Sequence, residues 1–361
     1  MKVLTVAGTR PQLVKVAPVS RELRKYVKEI LVNTGQHYDY NMAGIFFDEL
    51  HIPKPDYDLG IGSASHGKQT GEMLKKIEEV IFQEKPDAVL VYGDTNSTLA
   101  GALAASKLHI PLIHIEAGLR SYNKKMPEEI NRVLTDHVSN LLFAPTEKAV
   151  ENLRKESIIE NVFNVGDVMY DAFLYNSALA EEKYSLEKFG LESKKYLLAT
   201  IHRAENTDSR EHLFAIFKSF SELEDIVFLP LHPRTKHKLE EYGLTEIVQK
   251  ADNIKIVEPV SYLEMLLLEK HAKAIVTDSG GVQKEAYFAK VPCLTLRTET
   301  EWVETVEVGC NRLVNPLEED LAKVIQQFQP TDFSIPLYGD GKASKKIAKM
   351  IINFLSENSH L

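Results

Sequence analysis

The stretch Ala274-Ile275-Val276-Thr277-Asp278-Ser279-Gly280-Gly281-Val282-Gln283-Lys284-Glu285-Ala286 reads as a strand that stops in a glycine turn and restarts as a helix. The apolar run 274–277 is short and largely β-branched, as suits a strand covered on both faces. Two glycines then let backbone amides approach an oxyanion closely at the helix start, and Ser279 adds a hydroxyl. Glu285 lies one turn into that helix, in reach of ribose hydroxyls if a phosphate sits at its beginning. The plainer alternative, a glycine-rich turn with an exposed Glu, accounts for less of the pattern.

Working outward, the same strand-then-helix unit recurs along the whole chain. Short apolar runs fall at 3–7, 30–33, 88–92, 112–115, 141–144 and 162–165, then at 196–201, 226–231, 254–257, 274–277, 293–296 and 312–314. Helical stretches separate them. Six strands in each half predict an α/β protein of two doubly wound, Rossmann-like domains facing a central cleft. Residues 170–195 are polar, charged and helix-prone, so the connection between the halves is placed near their start. The stretch 341–361 carries Ile347, Met350, Ile351 and Leu355 at helical spacing.

The bulk properties agree with two soluble domains. The chain has 361 residues, 44% hydrophobic and 26% charged, which suffices for a core in each half. A net charge of -9 argues against non-specific nucleic-acid binding, though a local basic pocket remains open. Two cysteines, Cys293 and Cys310, cannot form a disulfide framework, and a reducing compartment follows. No apolar run approaches the ~20 residues that cross a bilayer. The expectation is a cytoplasmic protein with no membrane insertion.

Ligands of open parallel sheets sit beyond the carboxyl ends of the strands, so those ends carry the chemistry. The first ends in Gly8-Thr9-Arg10-Pro11, which places Arg10 at a helix start where an anion is favoured. The second ends in Thr34-Gly35-Gln36-His37, and His37 either touches a ligand or closes the loop. The third ends in Gly93-Asp94-Thr95-Asn96, where Asp94 alone would read as a helix cap. The fourth ends in Glu116-Ala117-Gly118-Leu119-Arg120, followed by Met126-Pro127-Glu128-Glu129-Ile130-Asn131-Arg132. Glu128 and Arg132 are four apart and can pair on one helix face. Asp94, Glu116 and Glu128 together make three carboxylates directed to one crevice, a group suited to moving a proton on carbon. In the second half, His202-Arg203 suits a diphosphate, unless His202 is a structural histidine. His232-Pro233-Arg234 is another basic strand end. There is no Walker A motif, no G-x-G-x-x-G after the first strand, and no His/Cys/Asp cluster at metal-ligand spacing. No metal or cofactor is expected.

These segments, in this order from residue 1 to about Asn315, resemble the non-hydrolysing UDP-N-acetylglucosamine 2-epimerases. The carriers are Gly8-Thr9-Arg10-Pro11, Thr34-Gly35-Gln36-His37, Gly93-Asp94-Thr95, His114-Ile115-Glu116-Ala117-Gly118-Leu119-Arg120, Pro127-Glu128-Glu129-Ile130-Asn131-Arg132, His202-Arg203-Ala204-Glu205-Asn206 and Asp278-Ser279-Gly280-Gly281. The resemblance implies a fold like that of GT-B glycosyltransferases. Residues 1–168 with 342–361 would form the first domain, the last helix crossing back, and 169–341 the second. It implies a homodimer that interconverts UDP-N-acetylglucosamine and UDP-N-acetylmannosamine through 2-acetamidoglucal. It assigns Asp94, Glu116 and Glu128 to acid–base work and His202 to the departing UDP. Arg10, Lys15, Ser279, Gly280 and Gly281 would hold phosphates or their neighbours, Glu285 the ribose, and Arg132 and Arg312 the sugar or its surroundings. Arg203, His232 and His37 complete the substrate-binding set.

Two stretches depart from many bacterial members. Gln36-His37 is followed by Tyr38-Asp39 where an Arg is usual, which bears on the activator site those members carry. Thr300-Glu301-Trp302-Val303-Glu304 stands where Thr-Glu-Arg-Pro-Glu is usual, and resembles relatives acting on UDP-2,3-diacetamido uronic acids. A hydrolysing relative, a retaining glycosyltransferase of the same architecture and a non-catalytic nucleotide-sugar sensor are the competing readings. A glycosyltransferase explains Ser279-Gly280-Gly281 but not three clustered carboxylates.

Overall fold

The computed structural model describes residues 1–35, 50–330 and 333–358. They form two compact units, Met1–Ala172 with Tyr338–Leu361, and Phe173–Leu337. The boundary falls inside the helix Val168–Lys183, which with a 3-10 turn at Leu186–Phe189 fills most of the predicted helix-prone segment.

Among its described residues, the first unit holds β1 (Lys2–Ala7), β2 (Lys28–Asn33), β3 (Tyr57–Asp58), β4 (Ala88–Tyr92), β5 (Leu112–Ile115), β6 (Leu141–Ala144) and β7 (Val162–Asn164). They join as one parallel sheet in the order β3-β2-β1-β4-β5-β6-β7. All five residues of β4 are buried, as a central parallel strand requires. Leu4, Val6, Val89 and Val91 pack against Met73, Ile77, Ala100 and Ala104 of the helices His66–Glu84 and Asn96–Lys107. Strand β3 goes beyond the six expected. It is two residues long and half solvent-facing, so no apolar run announces it. The helix Ala343–Asn358 packs on the helix Arg10–Leu23. Its first amides, Ala343 and Ser344, donate to the Asp171 carboxylate at 3.1 and 2.8 Å.

The second unit holds β8 (Tyr196–Thr200), β9 (Ile226–Pro230), β10 (Ile254–Val257), β11 (Ala274–Thr277), β12 (Cys293–Thr295) and β13 (Asn311–Leu313), again parallel, in the order β10-β9-β8-β11-β12-β13. Leu197, Ala199, Leu229 and Val276 meet Leu213, Ile216, Phe217 and Phe220 of the helix Arg210–Ser221 on one face. Leu198, Phe228 and Ile275 meet Leu268 and Ala286 on the other. Among the described residues, no helix is long and apolar enough to cross a membrane.

Both sheets reverse direction of growth at their middle, between β1 and β4 and between β8 and β11. Loops leave such a switch point on opposite faces of the sheet and open a crevice at its carboxyl edge. Gly8 and Asp94 flank the first, His202 and Ser279 the second.

Candidate active site

The first switch point is locked by Gln12. Its amide oxygen accepts from the Gly8 nitrogen at 2.9 Å, and its nitrogen reaches the Tyr92 carbonyl at 2.8 Å, tying the ends of β1 and β4 together. Gly8 is required there. A Cβ on it would lie 1.9 Å from Thr34 Oγ1 and 2.5 Å from Ser97 Oγ.

On this frame Lys15 forms an ion pair with Glu116. Burial opposes the Lys15 charge, but Glu116 and then Asp94 outweigh it, so the ammonium titrates above its ordinary value. Glu116 itself has φ 73, a left-handed backbone rare for a side chain with a Cβ. That conformation costs on the order of 1–3 kcal/mol and is a mark of functional sites. Asp94 does not cap the following helix. Thr95 does, accepting from the Thr98 nitrogen. The Asp94 carboxylate is instead gripped through Oδ2 by Arg132 Nε and Nη2, at 2.9 and 2.6 Å. Asn131 holds the Asp94 carbonyl at 2.8 Å.

The expected pairing of Glu128 with Arg132 is not what forms. Arg132 pairs with Asp94 and, at 3.1 Å, with Glu129. A tertiary carboxylate and the buried Glu129 offer Arg132 a less hydrated site than the exposed Glu128, whose side chain stays in solvent in the first turn of the helix Pro127–Val138. Glu129 also accepts from the Ser121 and Tyr122 amides, which holds the preceding loop.

Beneath these groups lies a buried relay that strand-end reading does not single out. His114, in the middle of β5, meets Asp136 Oδ1 at 2.7 Å through Nδ1 and the Gly93 carbonyl at 2.8 Å through Nε2. Asp136 also accepts from the Gly118 nitrogen at 3.0 Å and from Arg120 at 2.7 Å. Burial works against the Asp136 charge, but His114 and Arg120 prevail and hold its carboxyl below the usual range. The His114–Asp136 pair thus anchors both loops, His114 the one that carries Asp94 and Asp136 the one that follows Glu116. A polar residue inside an otherwise apolar strand was the available signal.

In the second unit Asp278, fully buried, plays the organising part. Its carboxylate accepts from the His202 and Arg203 nitrogens at 3.0 Å and from the Asn206 amide at 3.1 Å. His202 Nδ1 lies 3.4 Å from Asp278 Oδ1. Burial lowers the His202 pKa, Asp278 pulls the other way, and His232 and Arg203 lower it further, so the ring is neutral at pH 7. The His232 ring stands 5.5 Å from it, and His232 Nδ1 accepts from the Arg234 nitrogen as a helix cap. Ser279 opens the helix Gly280–Phe288. The Glu301 carboxylate rests on this turn. A Cβ at Gly280 would lie 2.1 Å from its Oε1, while Arg297 reaches its Oε2 at 2.9 Å and Arg203 its Oε1 at 3.9 Å. Glu285 is nearly buried, and burial pushes its carboxyl up to about 7. Lys284 lies 4.2 Å from the centre of the Trp302 ring. Arg312 sits on the edge strand β13, paired with Glu319 at 2.6 Å. Arg10 is solvent-exposed in the first unit. His37 lies outside the described residues.

The family model for UDP-N-acetylglucosamine 2-epimerase matches residues 21–352. The chain belongs to that epimerase family. A Methanococcus maripaludis protein named as a UDP-N-acetylglucosamine 2-epimerase homolog is 57% identical, over 98% of this chain and 100% of its own length. The UDP-2,3-diacetamido-2,3-dideoxy-D-glucuronate 2-epimerase of Pseudomonas aeruginosa is 49% identical, over 97% of this chain and 99% of its own. The crystal structure of the Methanocaldococcus jannaschii UDP-N-acetylglucosamine 2-epimerase, in complex with UDP-N-acetylglucosamine and UDP, aligns with a TM-score of 0.84 at 47% identity, covering 98% of this chain and 100% of that one. Epimerases of this family are isomerases, and the two parallel-sheet α/β units are those of the solved epimerase structures.

Proposed function

We propose that the chain epimerises C2 of UDP-N-acetylglucosamine, reversibly and without releasing free sugar. A carboxylate of the first unit takes the C2 proton as the C1–O bond breaks. The C–H electron pair becomes the C1=C2 bond of 2-acetamidoglucal, and UDP leaves with the bonding pair to oxygen. UDP then adds back to C1 while a proton reaches the opposite face of C2. The observation carrying this reading is the pairing pattern at adjacent strand ends. Glu116 sits against Lys15 and Asp94 against Arg132, with Glu128 in the first turn of the next helix. Each of these two carboxylates thus lies against a cation, Lys15 or Arg132, at the end of its strand.

In the second unit, Ser279, Gly280 and Gly281 offer amides to the diphosphate, and Glu285 accepts from the ribose. His202, neutral at pH 7, donates to the departing UDP, assisted by Arg203 and His232. Arg10, Lys15, Arg132, His37 and Arg312 complete the contacts to phosphate and sugar. The reading includes a homodimer in the cytoplasm. Met126 at the cap of the helix Pro127–Val138, and Ile130 and Leu134 within it, are exposed at four-residue spacing and support a partner surface on the first unit.

A UDP-2,3-diacetamido uronic acid is the second candidate substrate. The Pseudomonas relative and the Lys284–Trp302 stack favour it, because that loop is where bacterial members carry Arg. A proton NMR time course in heavy water tests both. UDP-N-acetylmannosamine with deuterium at C2 and no free sugar is the expected product. Absence of C2 exchange with either substrate refutes the epimerase reading.

A further inference from the structure

The chemistry above leaves one buried acid without a role. Glu269, on the helix Tyr262–His271, is fully buried, and its carboxyl meets that of Glu285. Among the described residues, neither Glu269 oxygen accepts a hydrogen bond from a nitrogen or hydroxyl donor. Two ionised carboxylates in contact would repel each other in a site that has stripped both of water. One proton between them turns that repulsion into a hydrogen bond.

The surroundings leave the pair to keep that proton for itself. From its own helix, the Tyr262 hydroxyl donates to Glu285 Oε1 at 3.2 Å, and Asn176 of the helix Val168–Lys183 bonds to Tyr262. The Lys284 charge favours ionised Glu285, and its ammonium is engaged with the Trp302 ring. Tyr196 of β8 donates to the Leu268 carbonyl at 2.6 Å. Cys293 of β12 is held neutral, its thiol pushed up to about 12 by burial and, to a smaller extent, by Glu269.

We propose that Glu269 is a positioning residue, whose carboxyl carries the pair's proton and donates it to Glu285, fixing Glu285 as a singly charged acceptor for ribose hydroxyls. The inference rests on the assignment of the ribose to Glu285. Burial raises both carboxyls, Glu269 well above its ordinary range and Glu285 to about 7. Glu269 therefore holds its proton at neutral pH, and Glu285 becomes a charged acceptor as pH rises through about 7.

Calorimetric titration of the full-length chain with UDP, from pH 5.5 to 8.5, tests the idea. The comparison of variants cancels the titration of UDP's own phosphate. Glu269→Gln supplies an amide donor in place of the carboxyl, so UDP affinity stays within about twofold of wild type at each pH. Glu269→Met removes the donor, so affinity at pH 7 falls about tenfold and the midpoint moves up by about one pH unit. Equal affinity and an unmoved midpoint in Glu269→Met overturn the proposal. Infrared difference spectra give a reading independent of ligand and of any folding defect in the variant. Wild type at pH 8 shows a protonated-carboxyl band that shifts in heavy water and is missing in Glu269→Gln. A wild-type spectrum without it overturns the shared proton. If Glu285→Gln and the use of 2′,3′-dideoxy-UDP both leave affinity unchanged, the ribose assignment falls instead, and the functional half of the proposal with it.

Discussion

The two switch points solve the same topological problem with opposite electrostatics. In the first unit the strand ends carry charged side chains paired across elements, Lys15 with Glu116 and Arg132 with Asp94, over the buried His114–Asp136 relay. In the second, the strand ends are organised by backbone amides bonded to one buried acid, Asp278, and the charges nearest the helix start are Glu301 between two guanidinium groups. A carboxylate can accept a proton, whereas amides and a neutral imidazole can hold an anion without exchanging protons with it. The difference teaches that the two strand-end clusters are built from different groups, so under the proposed function variants should separate proton chemistry from phosphate binding.

The largest separation is expected from Asp94→Asn. Turnover falls about a thousandfold while the UDP dissociation constant changes less than about threefold. Parallel loss of both, measured by NMR and calorimetry, breaks the division. Next comes a pair of strand-end glycines. Gly8→Ala drives a methyl group into Thr34 and Ser97 in the first unit and lowers unfolding free energy by about 2–3 kcal/mol in urea titration. Gly280→Ala meets only the mobile end of Glu301, so stability is nearly unchanged and UDP binds about tenfold more weakly. A stability loss at Gly280 equal to that at Gly8 would erase the contrast.

The smallest effect is in pH. Asp136 titrates below its unfolded value, so its contribution is present above about pH 4 and disappears as pH falls through the lower folded value. Glu285 titrates above its unfolded value, at about 7. The second unit therefore gains from acid and loses stability as pH rises from about 4 through that value. Trp302 is the only tryptophan and lies in the second unit. On acidification, far-ultraviolet circular dichroism should change before Trp302 fluorescence does, and simultaneous loss would remove the distinction.

Most of the sheet architecture was legible because buried parallel strands are short apolar runs, and the structure shifts their ends by only a residue or two. The turns after β1, β4, β8 and β11 were legible for a related reason. Polar and glycine residues directly after such runs mark where each strand stops and its helix begins. What escaped depended on contacts between distant segments. Helix spacing alone pairs Arg132 with Glu128, but the fold brings Asp94 to it from another strand end. Thr95 takes the capping role that spacing offers Asp94. Asp136, Glu129 and Glu269 look like ordinary helix acids until burial is known. Nothing in local composition tells a solvated carboxylate from one that holds a loop.

The first unit is discontinuous in sequence, and this has a consequence for how the protein is made. The helix Ala343–Asn358, which packs on Arg10–Leu23, leaves the ribosome after every residue of the second unit. The sheet of Phe173–Leu337 can therefore be complete while the earlier-made unit still exposes the helix face its last element covers. During that interval Lys15 and the switch point beside it belong to an unfinished unit. Synthesis order thus lets the first-begun unit be the last to be completed.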